Sequence, residues 1–94
     1  MTRMLTVTLT TDFGTQDFYT GALKGALLSR APGIQLIDIS HHIKPFDIVQ
    51  GAFVVQNVWR EFPPGTIHLI GVNCVYDEGY RFVAVRRERS EEHT

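Results

Sequence analysis

Three short stretches of this sequence carry residue types able to do chemistry. Thr10-Thr11-Asp12-Phe13-Gly14-Thr15-Gln16-Asp17 holds two carboxylates five residues apart. Asp38-Ile39-Ser40-His41-His42-Ile43-Lys44-Pro45-Phe46-Asp47 combines carboxylates, two histidines and an aromatic. From Asn73 onward, an amide, Asp77 and Arg81 follow one another. A carboxylate at the end of a strand, as Asp12 would be, accepts hydrogen bonds from two adjacent hydroxyls, as the acidic residue of dinucleotide folds does. An aspartate before a glycine also serves simply to stabilise a turn. His41 and His42 lack a Cys or carboxylate at ligand spacing, so no metal is expected. Such loop histidines are structural or exposed, and Asp38 inside a strand is a hydrogen-bonded structural carboxylate.

The surrounding elements decide whether these stretches meet. Met4 to Thr11 is rich in β-branched residues and ends at Asp12-Phe13-Gly14, which predicts a strand and a turn. From Asp17 to Arg30, apolar Phe18, Ala22, Leu23, Ala26 and Leu27 recur at helical spacing, stopped by Pro32-Gly33. Asp17 then has the ordinary role of N-cap. Gly21 and Gly25, four apart, suggest close packing of this helix on the sheet. Ile34 to Ile39 predicts a second strand. Asp47 caps a second helix that turns Ile48, Ala52, Val55, Val58, Trp59 and Phe62 inward, and Phe46 before it suits a hydrophobic staple. Thr66 to Asn73 and Tyr80 to Val85 complete the strands, with Cys74 a small buried residue and Trp59 in the core.

The order is β-α-β-α-β-β, with helices long enough for crossovers. It predicts an α/β fold with a mostly parallel open sheet and flanking helices. Ligands of such sheets bind outside the carboxyl ends of strands, where all three chemical stretches fall.

At 94 residues, 44% hydrophobic and 20% charged, the chain can build one small core. A formal net charge of −1 gives no footprint for nucleic acid or an anionic membrane, and no segment approaches the ~20 apolar residues of a membrane helix. A single cysteine excludes an internal disulfide and points to the cytoplasm.

The same three stretches, with Gly51-Ala52 and Phe62-Pro63-Pro64-Gly65-Thr66-Ile67-His68, resemble in order and spacing the S-adenosyl-L-methionine hydroxide adenosyltransferases, relatives of the fluorinases and chlorinases. That resemblance runs over roughly residues 5–85 and implies a hydrolase. Water attacks the ribose C5′ of S-adenosyl-L-methionine, giving adenosine and L-methionine, with that compound as substrate and no cofactor. It implies Asp12 on the ribose hydroxyls, Asp17 on the ammonium of the methionine moiety, and Phe46 on the pocket wall. It also implies Asn73 and Arg81 in the water-activating group. There the family carries an aspartate, which Asn73 replaces; an amide orients water but cannot act as general base. Fluorinases carry a tyrosine at that position, so halide use gains no support.

Family members are longer homotrimers with a C-terminal β-barrel domain. The expectation is therefore that residues 1–85 form part of an N-terminal adenosyl-binding domain and 86–94 a charged tail. The barrel would be absent and the chain truncated and inactive alone. The other class left open is a non-catalytic nucleotide-binding or interaction fragment.

Overall fold

The computed structural model describes residues 4–14, 16–74 and 79–86, and of residues 74 and 79–81 the backbone alone. Strand β1 (Thr6–Thr11) leads into α1 (Tyr19–Arg30), then β2 (Gln35–Ser40) and α2 (Ile48–Val58). A single 3₁₀ turn, Trp59–Glu61, precedes β3 (Ile67–Cys74), and β4 (Gly79–Arg86) follows. The four strands lie in one sheet in the order β2-β1-β3-β4. β1 pairs parallel with both β2 and β3, while β4 runs antiparallel to β3. The expected α/β fold is what the chain adopts.

β1 is central, so its residues 7–11 are all buried. Its alternation therefore sorts two packed faces rather than a core face from a wet one. Thr8 lies opposite His68 and Thr10 opposite Ile70, on the side where α2 packs with Gly51 against Ile70. Leu9 and Thr11 face the other side, where Lys24 of α1 reaches Asp38. The apolar centre consists of Val7, Leu9, Ile43, Val55, Ile70 and Val72, each contributing about 1.5–3 kcal/mol through burial.

Two helical expectations need correction. In α1 the stripe of Leu23, Lys24 and Leu27 is half-buried, but Ala22 and Ala26 are exposed. A Cβ at Gly21 or Gly25 would meet nothing within 4 Å, so these glycines do not permit close packing. In α2, Gly51 and Val55 are buried, whereas Ala52 is exposed and Trp59 only half-buried. The Arg60 guanidinium lies 4.8 Å from the Trp59 ring centroid, a cation–π arrangement at the rim. The helix turns inward at the glycine, where the backbone itself approaches Ile70.

Among the described residues no helix is long and apolar enough to cross a membrane. Nor is there among them a cluster of three or more His, Cys, Asp and Glu able to hold a metal. The positions of Asp77, the Cys74 side chain and residues 87–94 lie outside the described residues.

Candidate functional site

The chain leaves β1 toward β2 and later returns to place β3 on the other side of β1. The crevice therefore opens at the carboxyl ends of β1 and β3, where the strand order switches. Asp12 and Asn73 stand on its two sides. The Asp12 N–H donates to the Gly71 carbonyl at 3.2 Å, continuing the ladder one step beyond the strand. Its Oδ2 accepts the Asn73 backbone N–H at 2.8 Å. Its Oδ1 is buried and, among the described residues, meets no hydrogen-bond partner. An unpartnered buried polar oxygen costs about 1–3 kcal/mol, and a charged one more, so the arrangement is held against its own stability.

The turn itself is stabilised by a neighbour. The Phe13 N–H donates to Thr11 Oγ1 at 3.2 Å, and Gly14 takes a left-handed φ of 75°. The Asp12 carboxylate is thus free of the turn role that an aspartate before glycine often has. Two further bonds fasten this segment to the loop after β2: Gly14 N–H to the His41 carbonyl at 2.6 Å, and Ile43 N–H to the Thr11 carbonyl at 3.1 Å.

His41 is buried, at 5% exposure, and its ring bridges Thr11 Oγ1 at Nδ1 (2.6 Å) and Asp38 Oδ1 at Nε2 (2.8 Å). The other Asp38 oxygen accepts from Lys24 Nζ at 2.7 Å. Burial opposes ionisation of Asp38, but the hydrogen bonds and charges of Lys24 and His41 outweigh it and hold its carboxyl below the ordinary carboxylate value of 3.8. The expectations of a structural Asp38 and His41 agree with this network, and His42 is exposed.

Asp17 is not the helix cap. Phe18 occupies that position without a side-chain bond, because the Asp17 carboxylate folds onto the adjacent Phe18 N–H at 2.8 Å. It remains exposed, just before the positive end of α1.

Phe46 is no staple either. Counting from the Asp47 cap, whose side chain accepts the Gln50 N–H at 2.9 Å, the staple partner would be Gly51, which has no side chain. Instead Phe46 is 54% exposed on a left-handed backbone, φ 67°, the one non-glycine with positive φ among the described residues. Such a conformation costs about 1–3 kcal/mol and gathers at functional sites.

Asn73 meets Asp12 through its backbone, a contact no side-chain reasoning could supply. Arg81 pairs with Val72 through the β3–β4 ladder, and its side chain lies outside the described residues. Sequence reasoning also missed an aromatic wall. Phe13 lies 6.5 Å from Phe82 edge to face and 6.2 Å from Tyr19, and Tyr19 is 4.7 Å from Phe18. The Phe82 ring rests on Gly71, its cross-strand partner, which has no Cβ to exclude it. The only available signal was Gly71 within a strand, since such glycines mark a close approach.

An open, mostly parallel α/β sheet that brings an aspartate and a group of aromatic rings to its switch point defines the class of domain. Within that class, residues 7–92 match the SAM hydroxide adenosyltransferase N-terminal domain, and the chain belongs to that family. Over 67 residues it is 46% identical to an (R)-S-adenosyl-L-methionine hydrolase of Methanocaldococcus jannaschii, covering 67% of this chain and 25% of that protein. It is 33% identical over 75 residues to a fluorinase of Actinoplanes sp., covering 80% of this chain and 25% of the fluorinase. A conserved uncharacterised protein from Thermotoga maritima superposes with a TM-score of 0.64 at 30% identity, over 68% of this chain and 25% of that one. The chain thus spans about a quarter of the length of these relatives.

Proposed function

We propose that this chain supplies the ribose-binding part of an S-adenosyl-L-methionine site. The protein it serves would hydrolyse that compound to adenosine and L-methionine by attack of water at C5′. The observation that carries the reading is the divided Asp12 carboxylate, one oxygen tied to Asn73 and the other buried and unpartnered. A ribose diol supplies the missing donors. The kinship with named hydrolases supports the reaction.

The sulfonium already makes methionine a good leaving group, so the protein's task is to hold water in line behind C5′ and orient both substrate ends. Asp12 holds the hydroxyls, Phe46 forms wall, and the exposed Asp17 carboxylate suits the ammonium. Asn73 and Arg81 stand in the water-activating group, with the Asn73 amide orienting water rather than taking its proton. A cytoplasmic homotrimer with a barrel domain is the proposed setting, and the 94-residue chain alone binds without multiple turnover.

Incubation with S-adenosyl-L-methionine and measurement of adenosine release tests this. Little or no turnover is expected, with adenosine binding lost in Asp12→Ala. Clear multiple turnover overturns the inactivity, and wild-type binding in the variant overturns the ribose role. The absent aspartate at position 73 favours the second reading, a nucleotide-binding or interaction module without catalysis. Adenosine binding without any hydrolysis, even when barrel-containing relatives are supplied, would select it.

A further inference from the structure

Asp12 reaches its position through a turn, and from the β2 side that turn is held largely by one residue. His41 bonds it twice, by its carbonyl to the Gly14 N–H and by its ring to the Thr11 hydroxyl. The chemistry of the partners limits the proton positions. An ionised Asp38 only accepts, so Nε2 donates to it; Nδ1 accepts the Thr11 O–H when the ring is neutral and donates to the Thr11 oxygen when the ring is charged. In either state the Thr11 oxygen keeps a lone pair for the Phe13 N–H. One hydroxyl therefore joins the residues on both sides of Asp12, and its orientation depends on the histidine.

We propose that His41 is a positioning residue for Asp12. Its ring, oriented by Asp38 and Lys24, fixes the Thr11 hydroxyl, which shapes the turn that presents Asp12 Oδ1 to a ligand diol. This rests on the reading of Asp12 as the diol acceptor. A buried polar network is no more stabilising than a well-packed apolar cluster. What it adds is a single geometry, and recognition by a carboxylate demands placement within about 0.5 Å.

Two substitutions divide the ring's functions. His41→Asn keeps an acceptor near the Nδ1 position for Thr11 and gives up Asp38. His41→Gln reaches Asp38 and gives up Thr11. Ligand-observed NMR titration of the full chain with adenosine and with 2′,3′-dideoxyadenosine reads recognition of the diol apart from recognition of the base.

Wild type is expected to prefer adenosine. His41→Gln and Thr11→Val should lose about tenfold of that preference, the effect of one misplaced charge-assisted hydrogen bond, with dideoxyadenosine affinity unchanged. His41→Asn should keep most of it, and Thr11→Ser should restore what Thr11→Val loses. A wild-type preference surviving in both Thr11→Val and His41→Gln overturns the proposal. So does a parallel loss of both ligands that follows thermal stability, which marks a merely structural role. Absence of any preference in wild type defeats the diol reading of Asp12 itself, and with it this proposal.

Discussion

Asn73 holds Asp12 by a backbone N–H at 2.8 Å, across a ladder that joins residues 61 positions apart. The contact occupies Oδ2 and leaves Oδ1 buried and unpartnered among the described residues. It also means that the side chain at position 73 is free to differ while the carboxylate stays anchored.

Asp12→Asn separates charge from shape. Its amide oxygen still accepts the Asn73 N–H, but a donor then replaces the free acceptor. Each charge-assisted hydrogen bond is worth about 1.5–3 kcal/mol. Adenosine affinity should therefore fall at least tenfold in calorimetry, with a melting temperature close to wild type.

Phe46→Gly and Phe46→Ala should part company. Both remove the ring, and both should weaken adenosine binding. Only glycine relieves the left-handed backbone, whose cost is about 1–3 kcal/mol. Thermal unfolding should therefore find Phe46→Gly the more stable of the two by about 1 kcal/mol; the reverse order would show that the backbone there is unstrained.

His68 predicts a loss of stability on mild acidification. It is fully buried, its Nδ1 is 2.6 Å from Thr8 Oγ1, and burial lowers its pKa from 6.5. As pH falls below 6.5 the unfolded chain gains a proton that the folded chain refuses, so stability declines until the folded pKa is reached. Urea unfolding as a function of pH should show this limb in wild type and a flatter one in His68→Gln.

Asp38 has its effect further into acid. Its folded pKa lies below 3.8, so the stability it contributes is complete above that value and disappears as pH falls through the lower folded value. Asp38→Asn should remove that part of the acid transition. As the carboxylate is partly exposed, solvent screening keeps the effect small. An unchanged acid limb would mean that Lys24 and His41 do not stabilise the charged form.

Gly51→Ala tests the α2 contact. Alanine improves helix propensity by about 1 kcal/mol, but its Cβ would lie 2.8 Å from Ile70 Cγ2. Overpacking a buried site costs about 1–3 kcal/mol, so a net loss near 1 kcal/mol is expected in chemical denaturation.

Element order, the parallel crossovers and the clustering of the three chemical stretches were legible from the sequence. Those features follow from local periodicity, from β-branched runs and from the handedness of crossovers. Family membership was legible for the same reason, because its motifs lie in the loops that the fold brings together. What the residues at 17, 46 and 51 do was decided only in three dimensions. Asp17 misses the cap because its carboxylate bonds its own neighbour. Phe46 has no staple because its helical partner is a glycine. Gly51 packs because the sheet beneath it comes too close for a side chain. The anchoring of Asp12 by a backbone amide of β3, and of its turn by a buried His41, depends on strand register, and no local pattern in the chain encodes that.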